Sequence, residues 1–191
     1  MESTTKDDVL QNAEQYLLRI KSGEVFIYPT DTIYGIGCDA RSPTSVNRIR
    51  QIKQSLDQPF SVIAPSKVWI KDSLECKKSC ESWLDKLPGP YTLIMKLKNE
   101  YCVAKEVTAG KNSLGVRMPK NWFSDIIAEA GIPIVTTSVN VHGSKLMVSL
   151  LELPENIKKL VDFAIDDGII AGKPSTIVNL TKSPPEIIER K

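Results

Sequence analysis

EVFIYPTDTIYGIG, residues 24–37, is the stretch on which the fold turns. Val25 to Tyr28 form a short apolar run closed off by Gly23 and Pro29, the pattern of one buried β-strand. Its exit is not an ordinary turn. Thr30 and Thr32 place hydroxyls on either side of Asp31, and Gly35 and Gly37 flank Ile36 where a backbone must bend or approach something closely. It is not a phosphate loop of the Walker type either, because no GxxxxGK[ST] occurs and a lone GxG carries no dinucleotide claim. Two later apolar runs end in the same manner, VTTSVN at 135–140 and GKPSTIVNL at 172–180. Any one of the three reads more simply as turn and edge-strand chemistry. Together they describe a pocket whose rim offers hydroxyls and backbone N–H groups to phosphate oxygens or to a carboxylate.

Working outward, Val9, Leu10, Ala13, Tyr16, Leu17 and Ile20 recur at helical spacing, with Thr5 as cap, Asp8 three residues on and Gly23 as stop. Ser42 and Pro43 open a second helix that turns Val46, Ile49 and Ile52 inward and leaves Arg48, Arg50 and Lys53 at or near its solvent face and end. FSVIAP (60–65), YTLIMKLK (91–98), LGVRMP (114–119), IPIVTTSVN (132–140), DFAIDD (162–167) and STIVNL (175–180) read as strands. SLECKKSCESWLDKL (73–87), NWFSDIIAEAG (121–131) and the region of LPENIKKLV (153–161) read as helices, and 141–153 as a loop. Strands and helices interleave with no repeat, low-complexity segment or linker. The expectation is one α/β or α+β sheet domain over residues 1–191, with helices packed on the sheet.

A chain of 191 residues, 41% hydrophobic and 25% charged, has enough apolar material for one well-buried domain. Its 25 Lys and Arg against 23 Asp and Glu leave a charge of +2, so no global field recruits nucleic acid or an anionic membrane. A polyanion has to be held locally. No apolar run reaches the roughly 18 residues of a membrane span, and the start, MESTTKDDVL, lacks the apolar core of a secretory signal, which together predict a cytoplasmic protein. Cysteines 38, 76, 80 and 102 form no CxxC pair and His142 is the sole histidine, so no protein side chains are assigned to a metal. Cys76 and Cys80, four residues apart, are expected on one helical face as small buried apolar groups.

The cations that could face an anion are Lys53, Arg117 and Arg190. Arg117, between strand-forming residues and Pro119, suits bidentate recognition of a carboxylate or phosphate. No serine or cysteine stands in an elbow or dyad, so no catalytic nucleophile is assigned and the chemistry is one of positioning.

Seven blocks occur in order: IYPTDTIYGIG (27–37), IKQSLDQPFSVIAP (52–65), LPGPYTLIMK (87–96), KEVTAG (105–110), LGVRMP (114–119), IPIVTTSVN (132–140) and KPSTIVNLT (173–181). In this order they resemble the YrdC-like threonylcarbamoyl-AMP synthases over nearly the whole chain. The resemblance implies a single twisted open sheet with flanking helices and a large concave basin. It also implies synthesis of L-threonylcarbamoyladenylate from L-threonine, bicarbonate and ATP with Mg2+, releasing pyrophosphate, for the threonylcarbamoyladenosine of transfer RNA. The product would pass to a downstream tRNA threonylcarbamoyl-transferase complex, with weak tRNA contact at most and no membrane. Carried over by position, Thr32, Arg117, Ser138 and Ser175 match the threonine side, and Lys53, Thr108 and Asn140 the ATP side.

Two positions depart from the family pattern. Its Lys-x-Arg reads Lys53-Gln54-Ser55, so Ser55 stands on the nucleotide side where an arginine would fork onto the ligand. Its closing arginine is Glu189, with Arg190 one residue later, and plain strand alternation turns Arg190 to the opposite face unless a bulge re-aims it. These departures motivate an alternative, a catalytically weakened nucleotide- or RNA-binding module of the same fold. A third reading, the carbamoyl-adenylate module of hydrogenase maturation proteins, belongs to longer chains with zinc-finger cysteines that are absent here.

Overall fold

Phe26–Tyr28 forms a strand buried on both faces. Ile27 enters the larger of two apolar clusters, while Phe26 and Tyr28 enter the other, as strand alternation requires. In that second cluster Phe26 stacks on Phe163 with ring centroids 5.1 Å apart, and Tyr28 lies 5.0 Å from Phe123. Each such fully buried ring contributes about 1.5–3 kcal/mol by area. The computed structural model describes all residues except Leu56, residues 141–146 and Lys191, and the side chains of residues 78 and 79 are left aside.

The strands are β1 (Glu2–Thr5), β2 (Phe26–Tyr28), β3 (Gly35–Gly37), β4 (Ser61–Ile63), β5 (Tyr91–Lys96), β6 (Ser113–Arg117), β7 (Ile134–Ser138), β8 (Phe163–Asp166), β9 (Thr176–Asn179) and β10 (Glu186–Ile188). They form one mixed sheet in the order β1-β8-β2-β3-β7-β4-β6-β5-β9-β10. The helices are α1 (Lys6–Gln11), α2 (Ala13–Lys21), α3 (Pro43–Lys53), α4 (Lys67–Ser73), α5 (Lys78–Leu84), α6 (Lys105–Thr108), α7 (Trp122–Ala130) and α8 (Glu155–Lys158). None among the described residues is long and apolar enough to cross a membrane.

The link from β8 to β9 shapes the molecule. These strands stand second and ninth in the sheet, seven spacings apart, which is about 34 Å across a flat sheet at roughly 4.8 Å per spacing. The ten Cα steps from Asp166 to Thr176 reach at most about 36 Å when fully extended. They are not fully extended, because Gly168 turns at φ 73° and the Ile170 N–H is held by the Val148 carbonyl at 2.8 Å. The sheet must therefore curl, and residues 167–175 cross it as a chord. The hollow under that chord is the concave basin.

Several sequence expectations are corrected. The first helix divides at Asn12, whose backbone leaves the helix at φ −122° and ψ 33° and whose side chain donates to the Asp8 carbonyl. β1 precedes it, with only Thr4 buried, and reads as neither alternating nor apolar. Within 73–87, Ser73 ends α4 and Lys78–Leu84 forms α5, with 74–77 between them outside any helix; Cys76 lies in that gap and is paired with Cys80 as a disulfide, so neither is a free thiol on a shared helical face. Arg50 and Lys53 are buried instead of facing solvent. In 141–153, residues 141–146 with His142 fall outside the described part, whereas Met147, Leu150 and Leu153 pack into the larger core.

The two glycines of GIG do mark a close approach, made by the protein itself. A Cβ on Gly37 would fall 2.5 Å from the Val135 carbonyl oxygen and 2.9 Å from the Tyr28 ring. Gly37→Ala is expected to lower the unfolding free energy by about 1–3 kcal/mol, the usual cost of overpacking, measured by urea denaturation. An unchanged midpoint would show that the β3 to β7 contact is looser than described.

Candidate functional site

The curl brings the three hydroxyl-rich strand exits to one cavity of about 200 Å³. Thr30 and Thr32 line it from the first exit, Ser138 from the end of β7, Ser175 from just before β9, and Arg117 and Arg190 complete the polar wall. Ile33, Pro59, Phe60 and Ile177 supply apolar surface, while Val139 packs into the larger core. The volume lies below the roughly 300–1,000 Å³ of drug-sized sites, so the enclosed part suits a small polar molecule.

At the first exit, the Thr30 hydroxyl donates to the Ile33 carbonyl at 2.7 Å and accepts from the N–H groups of Thr32 and Ile33 at 3.1 and 3.2 Å. The Thr32 hydroxyl lies 3.0 Å from it in a further hydrogen bond in which either oxygen can donate, and Thr32 lines the cavity. Arg117 Nη2 reaches Thr32 Oγ1 at 3.4 Å and Asp31 Oδ1 at 2.5 Å, and Asp31 Oδ2 takes the Lys120 N–H at 3.0 Å. Asp31 thus balances Arg117 from behind and fixes its plane. Arg117 Nε stays buried without a partner, a donor that an incoming carboxylate can satisfy.

Arg190 enters the cavity although it stands one residue beyond the expected register. β10 ends at Ile188, so strand alternation has stopped before Glu189 and no bulge is needed. Arg190 Nε donates to the Ser175 carbonyl at 2.9 Å and Nη2 to Ser175 Oγ at 2.7 Å, while Thr92 Oγ1 lies 2.8 Å from the same oxygen. Burial, and then the charge of Arg117, hold the Arg190 guanidinium below its ordinary range.

Lys53, like Asn140, does not line the cavity itself but meets it through Ser138. Its Nζ donates to the Ser138 carbonyl at 2.6 Å and to Asn140 Oδ1 at 2.9 Å, and Ser138 Oγ meets Asn140 Oδ1 at 2.5 Å. Burial lowers its pKa to about 8. Three of the expected residues are therefore linked in one network. Thr108 and Ser55 do not line the cavity: the Thr108 hydroxyl closes its own helix on the Lys105 carbonyl, and the Ser55 carbonyl accepts from Arg50 Nη1. Arg50 also binds the Gln58 and Glu106 carbonyls and lies over Phe60, which ties Ser55, Gln58 and Phe60 to α3 and commits this cation to backbone carbonyls. Sequence reasoning did not single out Asp31, Thr92 or Arg50. Asp31 at the centre of PTDT was the available signal.

Among the described residues, Arg190 and Lys53 meet only neutral partners, so the site carries uncompensated positive charge in a partly dry setting. It is built to receive an anion. No group of three His, Cys, Asp or Glu among the described residues could hold a metal ion.

The chain is similar to known proteins over most of its length. The family model for Sua5, YciO and YrdC, described as telomere recombination, matches residues 19–191. The uncharacterised protein YciO of Escherichia coli K12 is 30% identical over 182 residues, covering 88% of this chain and 84% of its own. A threonylcarbamoyl-AMP synthase of Vibrio campbellii is 28% identical over 175 residues, covering 88% and 94%. The crystal structure of Pyrococcus abyssi Sua5 complexed with L-threonine superposes with a TM-score of 0.85 at 26% identity over 97% of this chain, which spans 56% of that longer one.

The depressed Lys53 makes anion binding pH-dependent. Its ammonium is present below about pH 8 and lost above it, and a bound phosphate raises its affinity for the proton. Affinity for ATP is expected to fall as pH rises through this range, with proton uptake on binding near pH 8.5, read by calorimetry in buffers of different ionisation enthalpy. Lys53→Met should abolish the uptake. Wild-type affinity that is level from pH 7 to 9.5 would contradict the assignment.

Proposed function

The chain belongs to the Sua5, YciO and YrdC family, and from that premise we propose that it joins L-threonine, bicarbonate and ATP into threonylcarbamoyl-AMP with release of pyrophosphate. The observation that carries this reading is the pairing of Arg117 and Arg190 over a hydroxyl-lined cavity next to Lys53. Arg117 Nε and the Thr32 hydroxyl receive the threonine carboxylate and hydroxyl, and Ser138 and Ser175 fix the remaining polar atoms. The amino group, left facing the mouth, attacks bicarbonate and expels water to give the carbamate. A carbamate oxygen then attacks the α-phosphorus of ATP, and the bond to the β-phosphate breaks with its electron pair leaving on pyrophosphate.

The protein supplies alignment and charge in this scheme. Nucleophile and leaving group both belong to the substrates, and well-aligned intramolecular reaction alone supplies about 7–11 kcal/mol. Lys53 and Asn140 bear on the triphosphate as it lies along the mouth, with Arg190 on its inner end. Magnesium would arrive with ATP; none of the residues lining the cavity is a carboxylate, so the phosphates themselves would hold it. The adenylate is a mixed anhydride, and its consumer is an acyl transfer to an amine of transfer RNA.

A second reading, a weakened nucleotide-binding module, is favoured by Ser55. With Arg50 committed to the three carbonyls, the nucleotide side lacks one forked cation, a loss of about 1.5–3 kcal/mol for each charge-assisted bond. The two readings separate in one assay. Pyrophosphate release from ATP should require both L-threonine and bicarbonate and fall at least tenfold in Arg190→Ala, and Arg117→Lys should raise the threonine requirement with ATP use nearly unchanged. ATP binding without any threonine-dependent pyrophosphate would leave the module reading standing. Ser55→Arg is expected to tighten ATP binding by restoring the clamp; weaker binding would show that Arg50 and the 55–60 loop leave no room for it.

A further inference from the structure

We propose that residues 167–175, of which only Ser175 lines the cavity itself, set its specificity as a roof laid over the backbone of Thr32, and that Gly172 is the positioning residue through which this roof holds Thr32. The inference rests on the reading that the cavity takes L-threonine.

The roof is tied at both ends and touches the site in its middle. At its start, the Tyr34 hydroxyl donates to the Gly168 carbonyl at 2.8 Å and accepts the Asp167 N–H at 3.0 Å. Next, the Ile170 N–H is held by the Val148 carbonyl. At its far end, Ser175 is 1% exposed and the Thr176 N–H binds the Pro90 carbonyl at 3.0 Å. Between these ties Gly172 lies flat on the peptide of Thr32. A Cβ there would stand 2.2 Å from the Thr32 carbonyl oxygen and 2.9 Å from its carbonyl carbon and Cα. The contact is backbone on backbone, and neither partner has a flexible end that could give way.

The consequence is geometric. Where the Thr32 hydroxyl stands is set by the placing of its own peptide, and its two partners, Thr30 Oγ1 at 3.0 Å and Arg117 Nη2 at 3.4 Å, meet it there. Ordinary van der Waals contact begins near 3.4 Å, so an alanine at 172 must part the two backbones by about 1 Å, and a misplacement of that size costs on the order of 100-fold in a preorganised site. Threonine is told from serine by one methyl group and from valine by one hydroxyl, and the hydroxyl contrast is the larger one where a buried group would go unpaired. Moving Thr32 should therefore weaken threonine binding and shrink its preference over valine most.

The test is calorimetric titration of L-threonine, L-serine and L-valine into folded wild type, Gly172→Ala and Gly131→Ala. Gly131 has a positive φ of 67°, which Gly172 lacks, and a Cβ on it meets nothing, so it controls for a merely structural cost. Gly172→Ala should bind L-threonine at least tenfold more weakly with a smaller threonine-to-valine ratio, and Gly131→Ala should stay within twofold of wild type. If Gly172→Ala does not fold, one glycine inserted after Ala171, which adds slack without a Cβ, should give the same loss. Threonine affinity within twofold of wild type in whichever roof variant is folded, or an equal loss in Gly131→Ala, would overturn the roles of Gly172 and the roof. Wild type that binds no L-threonine would instead remove the proposed function, and this inference with it.

Discussion

The structure depends on one distance constraint: nine residues must carry the chain from the second strand of the sheet to the ninth. Because those residues barely span a flat sheet, the sheet curls and its concave side gains a chord across it. The cavity that results is lined from both halves of the sheet. The ends of β2 and β7 face the end of β6 and the start of β9, so hydroxyls from separate exits and arginines more than 70 residues apart in sequence share one cavity. The likeness in fold extends to E. coli YciO, with a TM-score of 0.85 over 99% of this chain.

Electrostatics then separates two kinds of arginine in the same molecule. Arg50 is saturated by backbone carbonyls and spends its charge on holding a loop. Arg117 is half spent, balanced by Asp31 yet left with a buried, unpartnered Nε. Among the described residues Arg190 is bound only to Ser175, and it sits close enough to Arg117 to be disfavoured by it. Holding two guanidinium groups this way is costly unless an anion arrives, and the cost is the physical reason to read the cavity as a binding site in waiting. Lys53, joined to the cavity through Ser138, adds to the same imbalance.

Much of this was legible in the sequence, for identifiable reasons. Short apolar runs such as Val25–Tyr28 and Ile134–Val135 can be nothing but buried strand in a chain with these flanks, and the hydroxyl-rich exits announced the pocket. What was not legible depends on partners distant in sequence. β1 forms because β8 offers it an edge, the burial of Lys53 is set by Ser138 and Asn140, and Asp31 gains its meaning from Arg117. Register alone left the placing of Arg190 open, because alternation does not extend two residues past the strand that enforces it. Ser55 and Thr108, assigned by position alone, turn out to serve the loop and helix beside the cavity.

The central claim is that the cavity is an anion site whose charge is completed by Arg190. The most direct measurement is a crystal structure with L-threonine and a non-hydrolysable ATP analogue. The account predicts the amino-acid carboxylate on Arg117, a phosphate near Lys53, and the Arg190 guanidinium within hydrogen-bond distance of one of these ligands while still beside Ser175. Arg190 turned out to solvent, with the ligands held elsewhere, would contradict it.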